Sequence, residues 1–347
     1  MTEEINIGNK IIGKNIRPFI VAEMSGNHNQ SIDRALEIVD AAAEAGAHAI
    51  KLQTYTADTM TMKGINTVTD KDSLWYGTEL HTLYKEAYTP WEWHEAIFNR
   101  AKKHNIICFS SPFDISSVDF LESLGAPAYK IASLENTDHP LLKRVAQTGK
   151  PVIMSTGAST VSDIDESVQV LRMAGCKELV LLKCTSTYPA SPENTNILTI
   201  PHMRDLYNCP VGLSDHSMGI GVSIAAVALG AILIEKHFTL SRADGGVDSA
   251  FSMEPAEMKS LVIETERAWQ ALGHIQYDVQ KGEETSAYYR RSIYVSKDIS
   301  EGELFSNENL RIIRPGDGLE PKYLEKLIGK KSRQNINKGT PLTWDKI

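Results

Sequence analysis

Two histidines close two successive apolar runs of this 347-residue chain. The run VGLSDH ends at His216 and the run ILIEKH ends at His237, while Glu23 lies in an earlier apolar run, FIVAEMS. Neighbouring strands of a sheet lie about 4.8 Å apart, so imidazoles at the ends of adjacent strands can reach one ion. We therefore predict a divalent metal site. Two imidazoles, a carboxylate and water suit Mn²⁺, Zn²⁺ or Co²⁺, and ligand type alone does not choose between these metals.

Cationic and hydroxyl side chains close other apolar runs. The lysines are Lys51, Lys130 and Lys183, and the serines are Ser111, Ser155 and Ser214. A lysine within an apolar strand is costly unless it meets a negative charge, so three of them predict a ligand with a phosphate or carboxylate group. Two other interpretations stay open. The lysines could form internal ion pairs with Glu23, Glu135 or Glu235, or one of them could be the neutral nucleophile of a Schiff-base aldolase.

Three further segments carry candidate functional residues or loops. The polar stretch 56–90 is long for a compact domain, and such loops are usually lids or binding loops. The glycine-rich segment RADGGVDSAFS is as consistent with a mobile active-site loop as with a plain turn, and Asp248 is its candidate functional residue. Arg314, in IRPGDG, is by itself interpreted as a solvated loop cation.

The order of the apolar runs predicts the elements that position these side chains. Eight short β-branched or apolar runs lie between 19 and 238, and segments with helical spacing separate them. Right-handed crossovers of this length give a parallel sheet, and eight strands can close into a (β/α)8 TIM barrel with its site at the C-terminal ends of the strands. The alternative is an open doubly wound sheet, but the sequence has no GxGxxG motif after its first predicted strand.

Four segments are predicted along the chain. They are an N-terminal hairpin that caps the barrel at 1–18, the barrel at 19–274, a polar linker at 275–290, and a small C-terminal module at 291–347. The hairpin is expected to turn at Gly8 and Asn9. A module of about 57 residues is near the lower limit for independent folding, so we expect it to dock on something larger.

The composition limits the class of protein. The chain has 36 Lys+Arg and 44 Asp+Glu, a formal net charge of −8, which argues against a general nucleic-acid or membrane-surface binder. The N-terminus lacks an apolar core of signal-peptide length, and no run of about 18 apolar residues occurs. The four cysteines have no metal-type spacing and are expected to be reduced packing thiols. We expect a cytoplasmic enzyme.

Nine motifs together resemble the sialic acid synthase family. In chain order they are EMSGNHNQS, AIKLQTY, SSPFD, AYKIAS, MSTGA, KCTSTYP, GLSDHSMGIG, IEKHFTL and RPGDG. The segments SGNHNQS, KLQTYTADTM, YTPWEWH and RADGGVDSAFS are more similar to the pseudaminic acid branch of that family than to its N-acetylneuraminate branch. The resemblance covers essentially the whole chain.

This resemblance implies a transferase that condenses phosphoenolpyruvate with the open aldehyde form of an acetamido sugar, giving a nine-carbon 2-keto acid and phosphate. The sugar implied for this branch is 2,4-diacetamido-2,4,6-trideoxy-L-altrose, with N-acetylneuraminate or legionaminate synthesis as alternatives. The resemblance also implies a C-terminal antifreeze-like (SAF) domain, a domain-swapped homodimer, and a divalent cofactor, Mn²⁺ ahead of Mg²⁺ or Co²⁺. A non-catalytic sugar- or ice-binding protein is the alternative from another class.

The family's functional positions map onto residues of this chain. His216 and His237 match metal ligands, and Glu23 matches the acid beside the metal and the sugar. The positions implied for the phosphate and carboxylate of phosphoenolpyruvate are Lys51, Ser111, Lys130, Ser155 and Ser214. The other implied substrate-binding positions are Gln53, Ser133, Glu135, Tyr188, Asp248 and, from the partner in the swapped dimer, Arg314. Lys183 matches no family binding residue, and Ser186 stands where the N-acetylneuraminate branch has an Asn.

Overall fold

The computed structural model describes residues 4–71 and 73–347. The chain forms two compact units, each with most of its residue contacts internal, and the boundary lies between Gly273 and His274. Within the described ranges, no helix combines the length and the apolar character that crossing a membrane requires.

The strands of the first unit form a hairpin and a barrel. They are β1 (Glu4–Ile7), β2 (Lys10–Gly13), β3 (Phe19–Glu23), β4 (Ala49–Thr54), β5 (Ile107–Pro112), β6 (Tyr129–Ile131), β7 (Val152–Ser155), β8 (Leu179–Cys184), β9 (Val211–Ser214) and β10 (Leu233–His237). Strands β3 to β10 make a closed barrel in chain order, with β10 paired in parallel to both β9 and β3. The predicted (β/α)8 barrel is confirmed.

Helices surround this barrel. They are α1 (Ile32–Glu44), α2 (Ala57–Met60), α3 (Leu80–Ala87), α4 (His94–Lys103), α5 (Ile115–Ser123), α6 (His139–Ala146), α7 (Val161–Met173), α8 (Thr199–Tyr207), α9 (Gly221–Ala228) and α10 (Pro255–Leu272). Two of them, α2 and α3, lie in the stretch 56–90 that the sequence predicted as a loop. Local capping explains α2, because the side chains of Thr56 and Thr59 form a reciprocal capping box.

Alternating side chains fill the barrel in layers. Toward the N-terminal ends of the strands the inward residues are apolar, and they cluster with Ile5, Ile7 and Ile12 of the β1–β2 hairpin. Their members on the strands include Phe19, Val21, Ala49, Phe109, Ile153, Val180 and Leu182. Two positions further along each strand, the inward residues become polar or ionisable. The polar and ionisable inward side chains therefore lie at the C-terminal ends of the strands, and apolar side chains fill the other end of the barrel.

Several strands do not end where the sequence suggested. Strand β4 continues past Lys51, β8 continues past Lys183, and β9 ends two residues before His216. The difference matters most for Lys183. Because Val180 and Leu182 point inward, the next inward position on β8 belongs to Cys184. Lys183 points outward and donates hydrogen bonds to the Cys184 carbonyl at 2.9 Å and the Thr185 hydroxyl at 3.2 Å.

The second unit is a small module with its own core. Its elements are α11 (Glu284–Tyr288), β11 (Ser292–Val295), β12 (Leu310–Ile313) and α12 (Leu324–Leu327), with β11 and β12 antiparallel. The core residues are Ile293, Val295, Ile299, Phe305, Leu310, Leu327, Ile336 and Leu342. Helix α11 lies inside the stretch 275–290 that was predicted as a linker, and that stretch clusters with the second unit.

Candidate active site

Lys51 lies at the centre of the polar end of the barrel. Its Nζ is 2.7 Å from Glu23 Oε2 and 3.5 Å from Glu235 Oε1, and it donates a hydrogen bond to Ser111 Oγ at 3.3 Å. These contacts follow from strand order, since β4 pairs with β3 on one side and with β5 on the other. Lys51 is therefore buried but fully surrounded by charge and hydroxyl groups.

Lys130 forms the second cationic position. Its Nζ donates to Ser155 Oγ at 2.7 Å and lies 3.7 Å from Glu235 Oε1, which also accepts a hydrogen bond from Ser214 Oγ at 3.3 Å. Glu235 thus lies between the two lysines. The internal ion pairs considered from the sequence are present for Glu23 and Glu235. Even so, two buried ammonium groups and three serine hydroxyls converge in one place.

The two buried carboxyls differ in how readily they take up a proton. Burial raises the pKa of Glu23 although Lys51 lies beside it. Burial acts in the same direction on Glu235, but the charges of Lys130 and Lys51 hold the pKa of Glu235 below its ordinary value. We conclude that Glu235 is the permanent counter-ion of the lysines and that Glu23 is better suited to accept a proton.

A hydrogen-bond chain leads from Glu23 toward the histidines. Gln53 Nε2 donates to Glu23 Oε1 at 2.9 Å and to Ser25 Oγ at 3.0 Å, and the Ser25 hydroxyl donates to the Asp248 carboxylate. Asp248 Oδ2 in turn lies 3.7 Å from His237 Nδ1. Glu23, Gln53 and Asp248 are thereby brought together as expected. Ser25, which joins them, was not among the predicted site residues.

The two histidines lie side by side, with ring centroids 5.4 Å apart. His216 Nδ1 donates to the Thr185 carbonyl at 2.9 Å, an outer contact that leaves Nε2 free to act as a ligand. Burial and the charges of His216 and Lys51 lower the pKa of His237, so its imidazole is neutral. Its Nδ1 is buried without a hydrogen-bond partner.

These observations fit a metal held by two imidazoles and completed by water or substrate oxygens. Within residues 4–71 and 73–347, no three His, Cys, Asp or Glu side chains converge as a ready-made metal site. Glu23 in particular contacts Lys51 and Gln53, so it belongs to the surroundings of such a metal and not to its ligands.

Aromatic side chains form one wall of the site. The Tyr188 ring lies 4.3 Å from the His216 ring and 5.1 Å from the Phe251 ring, centroid to centroid. Trp75, from the stretch 56–90, lies 6.3 Å from Tyr188, and its indole N–H donates to the Val247 carbonyl at 3.2 Å. The wall brings Tyr188, one of the predicted site residues, beside His216, and it adds Trp75, which no sequence pattern indicated.

Ser133, Cys184 and Ser186 lie close together near His216. Ser133 Oγ accepts a hydrogen bond from the Gly157 amide at 3.1 Å, and Cys184 Sγ lies 3.7 Å from Ser186 Oγ. A Cβ at Gly157 would come within 2.1 Å of Ser186 Oγ, so only glycine leaves room for this approach.

Cys184 was expected to be a reduced packing thiol. It is free and buried, and it also faces the site. Its sulfur lies 4.0 Å from His216 Nδ1. Burial raises the pKa of the thiol, but the contact with His216 and the charge of Lys130 outweigh burial and bring the pKa to about 6. The alternation of side chains along LVLLKC could have predicted this position, because Leu182 points inward and Cys184 is the next residue with the same facing.

Glu135 completes the side of the site near Lys130. Burial raises the pKa of its carboxyl to about 7, even though Lys130 acts in the opposite direction. Near neutral pH this carboxyl is therefore a proton donor and acceptor of comparable strength.

Two predicted residues do not join the cluster. Lys183 points away from the barrel interior, as described above. Arg314 belongs to the second unit, where it is exposed and precedes Pro315. The other predicted site residues lie on the first unit, at the C-terminal ends of the barrel strands or in the segments that follow them.

Comparison with known proteins places both units in described families. A model described as the NeuB family matches residues 38–277, and a model described as the SAF domain matches residues 290–347. The expected C-terminal SAF domain is thereby confirmed.

Characterised relatives match along almost the whole chain. The pseudaminic acid synthase of Campylobacter jejuni subsp. jejuni is 42% identical over 97% of this chain and 98% of its own length. The pseudaminic acid synthase of Helicobacter pylori is 39% identical over 95% of this chain and 98% of its own length. Among solved structures, the N-acetylneuraminic acid synthetase of Leptospira borgpetersenii, crystallised with citrate, aligns with a TM-score of 0.73 and 35% identity, covering 82% of this chain and 95% of that one. The chain belongs to the NeuB family, and its resemblance to sialic acid synthases is confirmed.

Proposed function

We propose that this chain is a pseudaminic acid synthase. It condenses phosphoenolpyruvate with open-chain 2,4-diacetamido-2,4,6-trideoxy-L-altrose and water, giving pseudaminic acid and phosphate. The observation that supports this most is the buried cluster of two lysines and three serines beside a pair of neighbouring imidazoles. The 42% identity to a pseudaminic acid synthase over 97% of the chain supports this choice of sugar within the family.

The lysines and serines hold phosphoenolpyruvate. Lys51 and Lys130 face its phosphate and carboxylate, with hydrogen bonds from Ser111, Ser155 and Ser214. Because Glu235 already neutralises part of this charge, the lysines bind the anion by fixed position and short-range hydrogen bonding. They hold the enol ether in line with the aldehyde. This positioning reduces the entropic cost of bringing the two substrates to the transition state.

The imidazoles of His216 and His237 hold the divalent cation, which we propose to be Mn²⁺, with Mg²⁺ or Co²⁺ as alternatives. When bound, the cation supplies Lewis-acid polarisation of the sugar's aldehyde oxygen. Asp248, Gln53 and Tyr188 orient the sugar beside it. The lowered pKa of His237 favours this role, since a protonated imidazole cannot be a ligand. Burial acts in the same direction on His216, but its contacts with Cys184 and the Thr185 carbonyl raise the pKa of His216, so binding of the cation there has to displace a proton.

The bond changes can be assigned to residues on either side of the substrate. Carbon 3 of phosphoenolpyruvate attacks the aldehyde carbon, and the cation left at carbon 2 is trapped by water. Glu23, whose pKa is raised by burial, accepts the proton of that water. Glu23 passes this proton to the alkoxide formed from the aldehyde oxygen, which becomes a hydroxyl. The tetrahedral carbon then expels phosphate by C–O cleavage as its own hydroxyl becomes the keto group. Glu135, near Lys130, donates a proton to the departing phosphate oxygen and takes up the proton that this hydroxyl releases.

Two measurements test this proposal. Phosphate release should require phosphoenolpyruvate, a divalent cation and the diacetamido sugar, and should be much slower with N-acetylmannosamine. In ¹⁸O-water the released phosphate should carry no label, because water adds to carbon 2. Comparable rates with N-acetylmannosamine or a legionaminate precursor would transfer the assignment to another branch of the family, and label in phosphate would refute C–O cleavage.

The Schiff-base aldolase interpretation makes opposite predictions. Burial lowers the pKa of Lys130, which is the one property of the site that favours a nucleophilic lysine. Borohydride would then trap the substrate on this residue, and chelators would leave the rate unchanged. We expect no trapping and complete inhibition by EDTA.

A further inference from the structure

Each histidine of the site directly follows an ionisable residue, just beyond the end of β9 in one case and at the end of β10 in the other. Asp215 precedes His216 and Lys236 precedes His237, and alternation directs both outward while the imidazoles point inward. These two outward side chains are nevertheless buried: Asp215 is 0% exposed and Lys236 is 2% exposed. They lie between the barrel and α9, whose Ser223 reaches the same place.

The ammonium group of Lys236 has a partner for each of its three protons. It donates to Asp215 Oδ2 at 3.1 Å, to the Ser217 carbonyl at 2.6 Å and to the Gly219 carbonyl at 3.0 Å. One side chain on β10 thereby holds the turn that follows β9. These three hydrogen bonds hold the lysine side chain in one conformation, unlike the flexible side chain of a surface lysine.

The carboxylate of Asp215 is equally saturated. Oδ1 accepts from the Ser217 amide at 2.8 Å and the Ser217 hydroxyl at 2.6 Å, while Oδ2 accepts from Ser223 Oγ at 2.6 Å and from Lys236. The backbone amide of Asp215 also donates to the Glu235 carbonyl at 2.9 Å. The ends of β9 and β10 and the start of α9 are therefore linked through one charged pair.

Stability alone is a weak reason for such a pair. Burying two charges costs several kcal/mol in desolvation, and a well-packed apolar pair of similar volume is often as stable. The pair cannot serve the reaction by contact, because its side chains lie on the face opposite the substrate cavity. What it determines is the placement of the residue that follows each member of the pair, His216 just beyond β9 and His237 at the end of β10.

We propose that the Asp215–Lys236 pair is a positioning device that fixes the His216 and His237 imidazoles relative to each other so that both bind one divalent cation. This inference rests on the metal-dependent function proposed above. Outer contacts that orient metal ligands typically change metal affinity by about 10- to 100-fold when they are removed. The pair would thus act on metal binding and leave the lysine pocket of the anion unchanged.

The test compares Mn²⁺ binding to the metal-free full chain by titration calorimetry. Single variants Asp215→Asn and Lys236→Met leave an unpaired buried group and risk misfolding. The double variant Asp215→Leu/Lys236→Met removes both charges, and Ser223→Ala removes one hydrogen bond while both charges stay. Lys150→Met is the matched control, because Lys150 also donates to a backbone carbonyl, that of Ala126 at 2.7 Å, but lies before β7 at the other end of the barrel.

We expect the double variant to fold with a lowered thermal midpoint, because the polar partners of the pair lose their hydrogen bonds, and to bind Mn²⁺ at least about tenfold more weakly. Its KM for phosphoenolpyruvate at saturating Mn²⁺ should not change, and Lys150→Met should bind Mn²⁺ like the wild type. A folded double variant with wild-type Mn²⁺ affinity would overturn the inference while the proposed function stood. A wild type that bound no divalent cation would overturn both.

Discussion

The Ser25 hydroxyl donates a hydrogen bond to the Asp248 carboxylate across 223 positions of sequence. Ser25 follows β3, and Asp248 lies in the segment after β10, the strand that closes the barrel against β3. Ser25 also accepts a hydrogen bond from Gln53 at 3.0 Å, and it adopts a left-handed backbone with φ of 47°. One buried hydroxyl thus orients two of the residues proposed to hold the sugar.

Removing this hydroxyl should weaken sugar use. Ser25→Gly keeps the left-handed backbone accessible, and it removes the side-chain donor to Asp248 and one of the two acceptors of Gln53, the other being Glu23. We expect kcat/KM for the sugar to fall about tenfold, corresponding to roughly 1.4 kcal/mol, with a much smaller change in KM for phosphoenolpyruvate.

Ser117→Ala is the matched control for this variant. Ser117 is also a buried serine that donates to an aspartate, Asp114, at 2.7 Å, but it lies at the start of α5. It should lower stability by a similar amount without changing the kinetics. Equal losses for both substrates in Ser25→Gly would show that Ser25 acts on the fold and not on the sugar site.

Glu135 should set the alkaline limit of the reaction. Burial brings the pKa of Glu135 to about 7, and the proposed role requires its protonated form. The rate should therefore fall as pH rises above 7 and the carboxyl loses its proton. In Glu135→Gln this limb should disappear from the pH profile of kcat at a lower overall rate, whereas the exposed Glu95→Gln should retain it. A limb unchanged in Glu135→Gln would assign the titration to another group.

Three histidines, His28 and His94 buried and His48 half-buried, should make the first unit sensitive to acid. Burial lowers the pKa values of His28, His48 and His94 to about 4. Below pH 6.5 the unfolded chain takes up protons at these positions while the folded chain does not, so each histidine reduces stability as pH falls from 6.5 toward 4. Buried carboxyls with raised pKa values act in the opposite direction, so a single variant gives the clearest measurement.

His48→Asn isolates this effect. Ile20 donates its amide hydrogen to His48 Nδ1 at 2.8 Å, a bond that an Asn oxygen can accept. The substitution should cost stability at pH 8, but the cost should be about 2 kcal/mol smaller at pH 5, where wild-type His48 is itself destabilising. Urea unfolding at the two pH values measures the difference. A pH-independent cost would contradict the lowered pKa.

The barrel was predictable because each strand carries a strong local signal, an apolar run followed by helical spacing. The same alternation predicts most of the inward polar positions, including Lys51 and Lys130, once the strand's facing is known. Lys183 shows where the prediction failed. By residue type it resembles the other two lysines, but Leu182 points into the barrel, so the next inward residue on this strand is Cys184 and Lys183 points outward.

Other parts of the site had no local signal. Ser25 functions through a left-handed turn and a partner 223 positions away, and Trp75 reaches Tyr188 from a stretch whose helices are short and polar. Contacts of this kind depend on how loops from different strands meet after the barrel closes. The periodicity of apolar residues predicts helices and strands, but it does not predict contacts between loops.

The role of Arg314 and the swapped dimer are both predictions of the resemblance, and mixing two inactive variants tests them together. If Arg314 of one protomer serves the partner's barrel, Arg314→Ala and His216→Ala chains are each inactive alone but complement each other. A mixed dimer then contains one barrel with both histidines that receives an intact arginine. Random mixing at equal amounts should restore about a quarter of wild-type activity, since half of the dimers are mixed and each has one working site. Mixing His216→Ala with His237→Ala, both in the barrel, should restore none. If Arg314 acts within its own chain, the first mixture should be as inactive as this control.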